Sequence, residues 1–101
     1  MFNFIDEFLE NDEEITSLYL AKNLQVLFAG TSYGSIKVFL WPIMFEGKSE
    51  GEMPECAEFH IHAAKISALE VSYDNKFLIS SSDDGTIFFN RLYRKEILLK
   101  L

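Results

Sequence analysis

The chain has 101 residues, room for one domain at most. Hydrophobic residues make up 49% and charged ones 25%, the balance of an ordinary globular chain, and ten phenylalanines suit a β-rich core. The net charge of −7 argues against a nucleic-acid backbone or an anionic membrane as partner, and the single cysteine, Cys56, excludes an internal disulfide and points to a reducing compartment such as the cytoplasm.

Residues 1–13 place Phe4, Ile5, Phe8 and Leu9 at i, i+1, i+4 and i+5, the spacing of a short amphipathic helix with Asp6, Glu7, Glu10, Asp12 and Glu13 toward water. An acidic docking segment is the expectation, with a partner-binding tail as the sharper alternative. Six acids in residues 1–14 and the lack of a basic start do not read as a secretory signal, and no apolar run reaches the length of a membrane span.

Residues 14–42 read as three strands. Ile15, Leu18 and Leu20 mark the first. Val26, Leu27, Phe28 and Ala29 form a continuous apolar second strand, a pattern that predicts burial on both faces. Gly34 turns the chain into a third strand of Ile36, Val38 and Leu40, which Pro42 should end. Residues 43–58 carry Gly47, Gly51, Pro54 and five glutamates, and read as an acidic loop.

Residues 59–92 read as a second unit. Phe59 and Ile61 alternate with His60 and His62 on a strand. Strands Ile66–Val71, Phe77–Ser82 and Thr86–Phe89 follow, separated by a polar turn at 72–75 and by Asp83-Asp84-Gly85. Residues 93–101 read as the start of a further strand or a helix.

The two units align without a gap, fifty-one residues apart: Ile15 with Ile66, Leu18 with Leu69, Leu27 with Leu78, Gly34 with Gly85 and Ile36 with Ile87. A fixed period of this size, filled with short strands, predicts an all-β repeat architecture. Both glycines should sit at turns with positive φ.

His62, Ile66 and the run LISSSDDGTIFF at 78–89 resemble a WD40 repeat. The resemblance implies β-propeller blades, here two, forming a partial propeller. It also implies a hydrogen-bonded tetrad that ties the strands of one blade, with His62, Ser80 or Ser82, and Asp84 as this chain's candidates. Where the family has Trp-Asp the chain has Asn90-Arg91, and in the first unit Tyr33 stands at the Asp position. The run GTSYGSIKVFLWP, a loop, EFHIHAAKISAL and NKFLISSSDDGTIFF is similar to cilia- and flagella-associated WD-repeat proteins, which implies a structural role on ciliary microtubules near dynein arms and their regulators.

Catalytic and metal readings are weaker. Cys56, His60 and His62 suggest zinc, but no fourth ligand stands at a recognised spacing. Asp83 and Asp84 read as a hairpin turn rather than an acid–base pair. Ser80–Ser82 with the two histidines suggest a hydrolase, but the strand-to-helix elbow and oxyanion loop of such enzymes are missing. No cofactor motif is evident.

Two blades cannot close a propeller, which needs ~4–8. The missing blades are expected in cis from a longer chain, in trans from another protein, or from further copies in an oligomer. The alone chain is expected to aggregate, oligomerise or stay partly unfolded. The function read from sequence is a non-catalytic interaction scaffold of the ciliary axoneme and its cytoskeleton, with dynein-associated proteins or tubulin as partners. The alternatives are a generic cytoplasmic WD40 adaptor and, at lowest weight, a small Ser/His hydrolase.

Overall fold

The computed structural model describes Leu9, residues 12–41 and residues 56–93. The helix expected over 1–13, most of the loop expected over 43–58, Pro42 and nearly all of 93–101 lie outside the described residues.

The described chain is all-β apart from a single 3₁₀ turn at Lys22–Leu24. Strands β1 (Ile15–Ala21), β2 (Val26–Thr31), β3 (Ser35–Leu40) and β4 (Cys56–His60) form one antiparallel sheet in that order. Strands β5 (Ile66–Val71), β6 (Phe77–Ser82) and β7 (Ile87–Arg91) form a second. Among the described residues the sheets do not close into a ring.

The repeat holds to the level of register. Leu18 pairs with Ala29 as Leu69 pairs with Ser80, and Val26 pairs with Leu40 as Phe77 pairs with Arg91. A one-residue irregularity between Ile15 and Ser17 recurs between Ile66 and Ala68. The turns repeat too: Ser32 N–H donates to Glu14 O and Asp83 N–H to Lys65 O, while Gly34 N–H donates to Thr31 O and Gly85 N–H to Ser82 O. Gly34 and Gly85 have φ of +84° and +87°, which only a residue without Cβ adopts without strain.

Strand β2 is buried along its whole length, as its unbroken apolar run predicts. Its Val26 and Phe28, with Ile36 and Val38 of β3 and Ala57 of β4, pack on Ile66, Leu69, Val71 and Leu78 of the second sheet to form the main core. Leu27, Ala29 and Phe39 lie on the opposite face and are equally buried. Strand β6 alternates instead: Leu78 and Ser80 are buried, while Phe77 and Ile79 are half-buried.

One placement departs from the sequence reading. Cys56–Glu58, read as loop, are strand, and Phe59 belongs with the first sheet rather than the second: β4 pairs with β3, Phe59 opposite Ile36 and Ala57 opposite Val38. The strand also ends at His60, before Ile61 and His62. The sequence repeat counts from one connection to the next, whereas strand pairing follows the free edge of β3, so the last strand of the first sheet opens the second sequence unit. Ile61 and His62 then lie on the crossing between sheets, where both of their N–H groups donate to Gly34 O at 3.2 and 3.1 Å.

Candidate functional site

The crossing segment delivers His62 into the second sheet. His62 is 2% exposed as a residue, and its side chain is fully buried. Its Nε2 lies 2.8 Å from the Ser80 hydroxyl on β6, and its Nδ1 lies 2.8 Å from the Thr86 hydroxyl and 3.5 Å from Asp84 Oδ2. Thr86 donates its hydroxyl proton to Asp84 Oδ1, because a carboxylate only accepts. Its oxygen must therefore accept from His62 Nδ1–H, which in the neutral ring leaves Nε2 to accept from Ser80. Four side chains form one directed chain from β6 through the crossing to the turn before β7. Phe88 lies over the imidazole with ring centres 4.9 Å apart.

Asp84 anchors that turn. Its carboxylate accepts from the Thr86 hydroxyl, from Ala63 N–H at 3.0 Å and from Thr86 N–H at 2.9 Å. These bonds, the Thr86 hydroxyl first, hold its pKa well below the usual carboxylate range.

Of the candidates from sequence, His62, Ser80 and Asp84 come together. Ser82 does not join them: its hydroxyl donates to Ala64 O and accepts from Asp84 N–H, clamping the turn. Asp83 points elsewhere, toward Lys65 at 3.7 Å. At the family's Trp position, Asn90 Nδ2 is buried and finds no hydrogen-bond partner among the described residues. Thr86 was missed from sequence, since a threonine opening a strand carries no distinctive signal.

As a catalytic pair, Ser80 and His62 are poorly placed. Ser80 is 0% exposed, so no substrate reaches its hydroxyl without opening the sheet. Cys56, His60 and His62 do not converge either, since His60 Nδ1 pairs with the Ser35 hydroxyl at 2.9 Å and His62 is engaged within the second sheet. Among the described residues no group of three or more His, Cys, Asp or Glu is placed to hold a metal ion. No helix among them is long and apolar enough to cross a membrane.

The polar chain frames a surface. Where the sheets meet, Thr16 donates its hydroxyl to Ile66 O at 2.6 Å, and Gly30 allows close approach: a Cβ there would meet Ile66 Cγ2 at 2.7 Å. The first sheet thus presents Val26, Phe28, Ile36 and Val38 to the second. Fifty-one residues on, the same face of the second sheet carries Phe77, Ile79, Ile87 and Phe89. Ile36 and Val38 are both 0% exposed, whereas Ile87 is 61% and Phe89 66% exposed. The second sheet therefore keeps bare the apolar face that the first sheet covers. Arg91 rims it, its guanidinium over the rings of Phe77 and Tyr93 at 5.4 and 5.5 Å.

Comparison with known proteins agrees with this architecture. Residues 54–89 match the WD40 family model, described as WD domain, G-beta repeat. Over 81 residues, 80% of its length, the chain is 25% identical to cilia- and flagella-associated protein 57 of Mus musculus, of which it spans only 6%. The crystal structure of the computationally designed Ika4 protein is similar with a TM-score of 0.55 and 22% identity, over 78% of this chain and 41% of that one. This last likeness concerns the fold alone. The matched segment runs from the outer strand of the first sheet into the last strand of the second, and the two open antiparallel sheets are consistent with partial WD40 blades.

Proposed function

We propose that this chain is part of a non-catalytic WD40-type protein–protein interaction scaffold in the ciliary or flagellar axoneme, near dynein regulators. WD40 repeats generally serve protein–protein interaction, which supports the coarser part of the reading. The observation that carries it is the bare face of the second sheet: Ile87 and Phe89 are open where Ile36 and Val38 are sealed by a neighbouring sheet. A soluble chain seldom leaves such a face uncovered unless a partner covers it. The burial of Ser80 and His62 supports a structural rather than catalytic use of their hydrogen bond.

The axonemal part rests on the similarity to a protein named for cilia and flagella. Remaining blades, in cis or in trans, dynein-associated proteins and tubulin are the partners this reading names. A tagged copy expressed in ciliated cells tests it by imaging and affinity purification. Signal along the axoneme, with dynein-associated proteins or tubulin retained, is expected. A diffuse cytoplasmic signal with signalling or trafficking partners would replace it by the general adaptor reading. Ester turnover abolished by Ser80→Ala would overturn the non-catalytic reading.

A further inference from the structure

Lysines and arginines in this acidic chain do not all find a carboxylate. With 16 acidic residues against 9 basic ones, Lys37 meets Glu58 and Glu13, and Lys65 meets Asp83. Lys22, Lys76 and Arg91 are exposed and form no ion pair among the described residues. All three stand at one end of the molecule. Thr16, near the start of β1, meets Ile66 at the start of β5, and the two strands pack along each other. The turns at their far ends, 22–25 and 72–76, therefore lie side by side. The last residues of β3 and β7 reach the same end: Leu40 pairs with Val26, and Leu92 N–H donates to Lys76 O. Two acids accompany the cations there, Glu70 on β5 and Asp74, whose carboxylate accepts from the Ser72 hydroxyl at 2.7 Å and from Lys76 N–H at 3.0 Å.

Those bonds present an aromatic anchor. Ser72 Oγ also accepts from Phe77 N–H, and Asn75 N–H donates to Ser72 O, so the turn is braced on both sides of Tyr73. Tyr73 itself takes no part and stands fully exposed, with Leu40 open at the end of β3. A fixed turn that holds a tyrosine in water loses little freedom when that ring is covered. Arg91 is likewise held, stacked over Phe77 and Tyr93. The turns project past the strand ends, so sheets packed on either face leave Lys22, Tyr73 and Lys76 open.

We infer that this end binds an acidic segment of a partner protein, in which an apolar or aromatic residue stands among glutamates or aspartates. This rests on the interaction-scaffold reading and names the partner's chemistry. The carboxylates pair with Lys22, Lys76 and Arg91, and the apolar residue packs on Tyr73 and Leu40. The Arg91 guanidinium takes its carboxylate through two parallel N–H bonds. Nucleic acid does not fit: three cations on a chain of net charge −7 cannot hold a run of phosphates.

The probe is a short fluorescent peptide of glutamates around a central leucine pair, added to the full chain at high dilution and followed by anisotropy. Binding that weakens as salt rises is expected. The same peptide with glutamine for every glutamate should not bind. Lys22→Gln and Lys76→Gln should each weaken binding about two- to fivefold, the range of an exposed ion pair. Tyr73→Ala should weaken it with little change in its salt dependence, and Lys65→Gln, at the opposite end, should leave it unchanged. All four positions are exposed, so these variants keep the fold. Equal binding of the glutamine peptide, an equal loss with Lys65→Gln, tighter binding of a single-stranded oligonucleotide, or no binding at low salt would each overturn the inference. So would binding that appears only after Glu46, Glu50, Glu52 and Glu55 are changed to glutamine, since the cations would then belong to the chain's own acids. Retention of partner proteins by a chain that fails the peptide test would leave the scaffold reading standing on another surface.

Discussion

The hydroxyl of Thr16 reaches across from the first sheet to the carbonyl oxygen of Ile66 in the second, 2.6 Å away. It lies beside Gly30, whose missing side chain leaves room for Ile66, so the two features lock one joint. Thr16→Val keeps the shape and removes the donor. The expected cost is about 1 kcal/mol, the net value of one such bond, read as a lower denaturant midpoint. A midpoint equal to that of the parent chain would mean the joint is held by apolar packing alone.

The aligned glycines should respond unequally to alanine. Both pay for a positive φ, roughly 1–2 kcal/mol. At Gly85 a Cβ would meet nothing within 4 Å, so strain is the whole cost. At Gly34 it would run into the His62 carbonyl and lie 2.8 Å from Ala64 O, which displaces the segment that carries His62. Gly34→Ala should lower thermal stability clearly more than Gly85→Ala, and equal losses would sink this account of how the first sheet positions the polar chain.

Much of this architecture was legible in the sequence, for reasons tied to particular residues. Val26–Ala29 is a run that only a strand buried on two faces explains, and the two Gly turns repeat with their strands. His62, Ser80 and Asp84 stood at motif positions. Gly30 was passed over, although a glycine inside an apolar strand often marks a close backbone approach, as it does here against Ile66. The sheet to which β4 belongs was hidden, because pairing on the edge of β3 leaves no mark in the local pattern of Cys56–His60. Lys37 was hidden as well: alternation places it on a strand but does not say that both faces are covered.

That lysine is 3% exposed, 3.2 Å from Glu58 and 4.0 Å from Glu13, whose side chain is 1% exposed. Lys37→Met retains most of the packing and removes the cation from this buried pair. The expected destabilisation is about 3 kcal/mol, measured by urea titration. A neutral result would indicate that Glu13 is stabilised by its other interactions.

Asp84 predicts an acid-sensitive second sheet. Its folded pKa is depressed, chiefly by the Thr86 hydroxyl and then by Ala63 N–H. The unfolded chain takes up this proton near pH ~4, while the folded chain resists it to lower pH. The stabilisation is therefore complete above that value and fades as the pH falls below it. Asp84→Asn should lower the melting temperature at neutral pH and flatten its decline below pH ~4, while Asp83→Asn, beside the exposed Lys65, should do much less. Identical profiles for the two variants would show that the Asp84 bonds do not hold the turn.

The bare face predicts the behaviour of the chain alone. Ile87 and Phe89 would each gain about 1.5–3 kcal/mol on full burial, so a contact between copies gains roughly 3–6 kcal/mol from these two side chains. Association costs about 4–15 kcal/mol in lost freedom, so homotypic contact is weak and appears only as concentration rises. Sedimentation velocity of the 101-residue chain should show mass increasing with concentration, and amide exchange should be faster in β7 than in β2, where every residue is buried. The double variant Ile87→Lys with Phe89→Lys should abolish the association and leave protection of β2 unchanged. A sharp monomer at all concentrations, with β7 as protected as β2, would mean the chain satisfies this face by itself, and the interaction surface assigned to it would be lost.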